Sequence, residues 1–387
     1  KTKEEGNDNA ASQEKTAKKP SASKKDVSSL SKKQKTPKDK ADKNGKKKRF
    51  KNKREQEFAL NESGGVYAEI DNNDNIEVLA KNNSGDMHIE KDKWWSMAKQ
   101  FGAVAGNGGW KNARVKNINF IPNGLYLPER SEYFFMNIKG EINGCEKLNT
   151  SKVTDMTRMF AGATKANPDV SKWDTSKVTN MDGMFSGATS ANPDVSKWKV
   201  SNVTDMKYMF ERATSANPDV TNWDTSKVTD LRGMFNNSGA QKINLSKWVL
   251  SAEFFNGEHA SISMFEGCTK LESLKTPAGL KTSINEADNN FNIVKLKKGA
   301  SVVVENENIN LNKVYTINPD GDKNAVYHIY RKDKYAGVIF DSNGGHTEAW
   351  VNHEIVEKGK SIKESNGSIP TEAPQLVGDE FLGWTTE

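Results

Sequence analysis

Cysteine is nearly absent: Cys145 and Cys268 are the only two in 387 residues. That excludes a disulfide-stapled scaffold and a four-cysteine zinc site. Apolar residues are scarce too, at 34% with a mean hydropathy of −0.80, so much of the chain lies outside any core. No run of 18 apolar residues occurs, which excludes an ordinary membrane-spanning helix. The five histidines, His88, His259, His328, His346 and His353, are scattered, and the seven-residue step from His346 to His353 is too loose for a metal site. No Cys-His or Ser-His-Asp pattern, phosphate loop or nucleotide fingerprint is present. Gly106, Gly108 and Gly109 follow a helical stretch instead of opening one, so they are read as a turn. These absences predict a non-enzyme with no catalytic residue, no metal and no cofactor.

Charge is unevenly spread. The first 54 residues carry 20 Lys or Arg against 7 Asp or Glu, a net of +13, whereas the whole chain is +6. The remainder is therefore mildly acidic, and specific nucleic-acid binding by the whole protein loses its support. Residues 1–55, with scarcely an aromatic, are expected to be a disordered Lys-rich tail. Electrostatic attraction to polyanions such as cell-wall teichoic acid is one role for it, and a solvated spacer is the plainer one. The start at Lys1 without a signal-peptide core reads as a mature chain or an excised fragment, and the end at Glu387 reads as cut.

Residues 56–140 read as an N-terminal cap. Strands are expected over 65–70 and 76–79, with a polar turn at 71–74 that lacks the Gly and distal Glu of a calcium loop. A helix is expected over 91–101, because Trp94, Met97, Ala98 and Phe101 share one stripe and Gly102 ends it.

Beyond the cap a 25-residue period dominates. Met159-Phe160, Met184-Phe185, Met209-Phe210 and Met234-Phe235 recur at that step, as do Val153, Val178, Val203 and Val228, and Trp173, Trp198, Trp223 and Trp248. A fifth pair, Met264-Phe265, follows after 30 residues, implying an insertion near 252–260. Val178, Met181, Met184 and Phe185 have helical spacing, and Thr179 with Asp182 reads as a weak capping box. Asn167-Pro168-Asp169 and its copies at Asn192 and Asn217 mark a turn into a short strand ending at the Trp. The expected fold is thus an α/β repeat solenoid of 25-residue, leucine-rich-repeat-like coils over 141–282, with parallel strands plus short helices. Cys145 and Cys268 fall where inner coils carry Ala163, Ala188 and Ala213, so they read as small core residues too far apart to bond to each other. Residues 283–335 alternate apolar and polar (Val302, Val304; Ile309, Leu311; Val326, His328, Tyr330) and read as a β-rich connector. Residues 336–387 read as a short β module.

The stretch Trp173-Asp-Thr-Ser-Lys followed by Val178-Thr-Asn-Met-Asp-Gly-Met-Phe-Ser-Gly-Ala resembles the BspA-like family of bacterial surface leucine-rich repeats. Four clear copies and one looser copy span 141–282, and the helix ending Gly108-Gly109-Trp110 is similar to the segment preceding such repeats. The module at 336–387 resembles the internalin B-repeat (Listeria-Bacteroides repeat), a β-grasp-like module, through Phe340-Asp-Ser-Asn-Gly-Gly, Gly359-Lys-Ser-Ile, Pro370, Pro374 and Phe381-Leu-Gly-Trp. The resemblance implies a protein on the bacterial cell surface or secreted, adhesin-like, binding host extracellular-matrix or cell-surface proteins, other bacteria or glycans. It carries over no catalytic residue, and the chain shows no wall-sorting motif or lipidated cysteine.

Two readings compete for the Trp row. Val170 and Trp173, three apart, cannot both face inward on an ideal strand, so either the strand bends and the indoles join the core, or they form an exposed apolar stripe. Asp169, Asp194 and Asp219 would stack as a row, and turn capping is the plainer role for them than calcium binding. Asp174, Lys199 and Asp224 read as a self-neutralising ladder. The expected ligand-binding face is the polar strand surface at Ser171, Lys172, Asp174, Ser196, Lys197, Lys199, Thr221, Asn222 and Asp224. The alternatives are a wall-attached spacer whose ligand site lies elsewhere, or polyanion binding through the basic tail.

Overall fold

A computed structural model describes residues 57–81, 85–257, 261, 263–280, 326–339 and 353–365, together with the backbone of short strands at Lys40–Ala41, Lys47–Lys48, Thr282–Asn285, Phe291–Leu296, Val303–Val304 and Val314–Ile317. The chain divides into two parts, Lys1–Lys51 and Asn52–Glu387. In the first, Lys40–Ala41 pairs antiparallel with Lys47–Lys48. The expected disorder of the tail otherwise lies outside the described residues.

The second part opens with an antiparallel meander of Glu57–Ala59, Val66–Ile70 and Ile76–Ala80. Alternation puts Val66, Ala68 and Ile70 inward, and Asp71 closes the turn by accepting the N–H groups of Asn73 and Asn75. Ile118–Phe120 then joins parallel to Ile76–Ala80, and Ile142–Asn143 parallel to Ile118–Phe120. The cap thus converts a hairpin into parallel rungs. The helix Lys91–Lys99 buries Trp94, Trp95, Met97 and Ala98. Trp94 stacks on Phe134 at 4.3 Å, and the Trp94 and Trp110 indoles both donate to the Phe134 carbonyl.

The repeats overturn the expected helix-and-strand solenoid. Among the described residues α-helix occurs only at Lys91–Lys99 and Ala252–Asn256, both outside the four regular repeats, and no strand lies between Leu148–Asn149 and Lys242–Asn244. Successive repeats touch in register through single-residue parallel bridges, Arg130 to Asp155 to Asn180 to Asp205 to Asp230. The sheets among the described residues are small, with five strands at most. What forms instead is a stack of turn units. The Met181 to Phe185 stretch is not helical because its N–H groups split: Met184 and Ser186 donate three residues back, to Met181 and Gly183, while Met181, Gly183, Phe185 and Gly187 donate to Asp205, Lys207, Met209 and Glu211 of the next unit. An α-helix would need all of them four residues back. The split requires left-handed residues at two places per unit: Tyr133, Arg158, Gly183, Tyr208 and Gly233 at one, and Asn137, Gly162, Gly187, Arg212 and Asn237 at the other. Thr179 is likewise no helix cap; its N–H and hydroxyl both donate to the Thr154 carbonyl of the preceding unit.

The expected strand ending at Trp173 is also a turn. Trp173 N–H donates to Val170 O, so Ser171 and Lys172 form a bend and both Val170 and Trp173 face inward. All four indoles are buried. Each indole N–H reaches a carbonyl one unit back: Trp173 to Cys145, Trp198 to Val170, Trp223 to Val195 and Trp248 to Val220, at 2.9–3.1 Å. Phe135, Phe160, Phe185, Phe210, Phe235 and Phe265 form a second buried row, with neighbouring ring centroids 5.2–5.8 Å apart. Burying an aromatic side chain removes roughly 150–250 Å² from water, so these two rows contribute a large share of the apolar area buried between units, beside the Val, Met and Ala rows.

The far end is covered. Lys242–Asn244 pairs parallel with Ser273–Lys275, and Val326–Arg331 runs antiparallel along the latter and pairs with Phe291–Leu296. This covers a parallel edge that would otherwise recruit other strands. Ile309 and Leu311 lie outside the described residues. Of the expected β-grasp-like module, the described residues hold one two-stranded antiparallel sheet, Tyr335–Ile339 with His353–Glu357, and a following turn. The Gly344-Gly345 turn and the Phe381 to Trp384 closing segment lie outside them.

Candidate functional site

The nine residues expected to bind a ligand are brought together on three successive units, on bends and not on a strand. Asp169 accepts the N–H and hydroxyl of Ser171, Asp194 does the same for Ser196, and Asp219 accepts the Thr221 N–H. These carboxylates are therefore turn caps. Ser171 and Ser196 donation holds Asp169 and Asp194 below the ordinary carboxylate range. Asp174 and Asp224 are lowered in the same way by Ser176 and Ser226. Ser171, Ser196 and Thr221 are half-buried, and Lys172, Asp174, Lys197, Lys199, Asn222 and Asp224 are exposed. Behind them runs a threonine ladder: Thr150, Thr175 and Thr225 donate to the carbonyls of Asp174, Lys199 and Val249 in the next unit. The exposed side chains thus stand on backbone fixed from within.

A second row escaped sequence reasoning. The residues after the first Met of each unit are Thr157-Arg158, Asp182-Gly183 and Lys207-Tyr208, with Arg232-Gly233 after Leu231. They differ from unit to unit while the flanking Val, Met and Phe do not, and that contrast was the available signal. In space they form an ion-paired row. Arg130 pairs with Asp155 at 3.4 Å, Lys207 lies 3.5 Å from Asp182 and also pairs with Asp205, and Arg232 holds Asp230 through two nitrogens. Burial raises the Asp182 carboxyl, with Lys207 and Arg158 opposing, and its Oδ1 is buried without a hydrogen-bond partner. At the head of the row a cavity of about 510 Å³ lies between the cap helix, the Ala105-Gly106 turn, Glu132 and Tyr133.

Near the first unit, Lys152 donates to His88 Nε2 at 2.8 Å and His88 Nδ1 meets Asp86 at 3.0 Å, with the imidazole stacked on Tyr126. Cys145 and Cys268 are free thiols in the core. Burial pushes Cys268 up to about 11 and Cys145 higher still, so neither is a thiolate nucleophile at neutral pH. Among the described residues no group of three or more His, Cys, Asp or Glu could hold a metal ion, and no helix is long and apolar enough to cross a membrane.

Residues 130–248 match a family described as a Mycoplasma protein of unknown function, DUF285. The matched span begins at Arg130, the first residue of the bridge row, and ends at Trp248, the last indole. No curated protein and no solved structure matches the chain.

Proposed function

We propose that the chain is a non-catalytic, adhesin-like binding protein of a bacterial surface or its surroundings, engaging a partner protein on a host or neighbouring cell through the exposed polar residues of its turn units. One observation carries this reading. Lys172, Asp174, Lys197, Lys199, Asn222 and Asp224 stand exposed on three consecutive units whose backbone is pinned by Asp turn caps and buried threonine bonds. A surface already ordered before contact loses little conformational entropy on binding, which favours recognition over a spacer role. The sequence resemblance to bacterial surface repeats supports the same reading.

The test is adhesion of beads carrying the full chain to host cells and to immobilised matrix proteins. Alanine at Lys172, Asp174, Lys197, Lys199, Asn222 and Asp224 together is expected to abolish it while the melting temperature holds. Undiminished adhesion of that variant would sink the reading.

A further inference from the structure

Two features of the ion-paired row call for a ligand of particular chemistry. The first is its relief. At the left-handed position Arg158 is followed by Gly183, then Tyr208, then Gly233. A Cβ on Gly183 would come within 3.0 Å of Arg158, and one on Gly233 within 2.7 Å of Tyr208, so each large side chain lies over the glycine of the next unit. The result is two ridges, at Arg158 and Tyr208, two units and roughly 10 Å apart at ordinary strand spacing, with Tyr133 at the same position of the unit before Arg158. The second is its charge. Every cation along the row lies against a carboxylate: Arg130 with Asp155, Arg158 and Lys207 with Asp182, Arg232 with Asp230. The large exposed hydrophobics of the described residues, Val104, Ile121 and Val249, lie outside it.

We infer that this row, from the cavity at Tyr133 along Arg158 and Tyr208, is a binding track for an extended, uncharged glycan running parallel to the stack. Locally neutralised ion pairs present planar donor and acceptor pairs suited to vicinal hydroxyls, and they create no net field to draw a polyanion. Tyrosine supplies an apolar ring face with a polar edge, the chemistry that packs against a sugar ring. Two-unit relief also matches the length of one disaccharide in an extended chain. The cavity, walled by Lys91, Asp92, Trp95, Ser96, Lys99 and Tyr133, would hold a terminal sugar. The track is separate from the Lys172 row and stands whether or not that row binds protein.

The full chain is applied to an array of linear neutral hexasaccharides (cello-, chito-, xylo- and malto-series) beside heparin and hyaluronan, at low and high salt. Retention on at least one neutral series, insensitive to salt, is expected. Tyr208→Gly and Arg158→Gly should each weaken it about tenfold, the loss of one aromatic or bidentate contact. Glycine already occupies the same position in neighbouring units, so both variants keep the fold, checked by an unchanged or raised melting temperature. Lys172→Ala with Lys197→Ala should leave glycan binding intact. No neutral retention, retention on the acidic glycans alone, or full binding by Tyr208→Gly would each overturn the inference.

Discussion

Trp198 shows at one residue how the stack is held. Its indole is buried, and its N–H is one of two donors to the Val170 carbonyl, the other being the Trp173 N–H. Trp198→Phe keeps most of the apolar area and loses one bond, so it should cost about 1 kcal/mol. Trp198→Ala opens a cavity and should cost about 3–5 kcal/mol. Urea denaturation separates the two, and both variants being as stable as the parent protein would show that the indole bond and the packing count for nothing. Asp182 predicts the opposite kind of effect. Its folded pKa is raised, so its contribution is fully present below the unfolded Asp value near 4 and is lost as pH rises through the folded value. Asp182→Asn should therefore raise the melting temperature at pH 7 and change it little in acid. A lower melting temperature at pH 7 would mean that the Lys207 and Arg158 contacts outweigh burial. Asp169, Asp174, Asp194 and Asp224 are lowered, so their support persists above the ordinary Asp value and falls away in acid.

At the scale of the turn unit, the period of 25 and the burial of Val, Met, Phe and Cys were legible because spacing alone fixes which residues repeat. The conformation between them was not. Val178, Met181 and Met184 are three apart, which suits an α-helix and a run of three-residue turns equally well. The deciding feature is the left-handed backbone at Arg158, Tyr208 and Arg212, and no glycine announces it there. That residues 171–174, 196–199 and 221–224 lie together on one surface was legible in advance because each set flanks a Trp of the 25-residue period. The Arg158 and Tyr208 row was missed because it varies and so looked like noise. Since the backbone bonds of residues 176–200 run only to the adjoining units, removing these residues whole should leave a folded chain, with Phe160 stacked directly on Phe210. Retained cooperative melting at a lower temperature is expected, and a non-cooperative melt would show that the units are not interchangeable.

For the whole molecule, charge is divided between the tail and the rest. Deleting residues 1–54 removes a net of +13 from a chain of +6. Retention on a polyanion column at low salt should vanish with the deletion, and retention that survived it would locate polyanion binding in the acidic remainder. The two ends of the stack do different work. Cap indoles from Trp94 and Trp110 satisfy the first unit, whereas Val326–Arg331 shields the last parallel edge.

Between neighbouring units four backbone N–H groups donate forward for each one, from Thr154, Thr179, Thr204 or Thr229, that donates back, so the hydrogen bonds run mainly one way along this part of the stack. From Ser131 through Met156, Met181 and Met206, and likewise from Phe135 through Phe160, Phe185, Phe210 and Phe235, each N–H donates to the following unit. Peptide groups so aligned add their dipoles as in an α-helix, where ordinary sheets cancel them. The repeat region is thus an electrical element with a carbonyl pole at Arg130 to Met136 and an amide pole at its other end. Lys91 and Lys99 stand beside the carbonyl pole, the place where a cation is favoured.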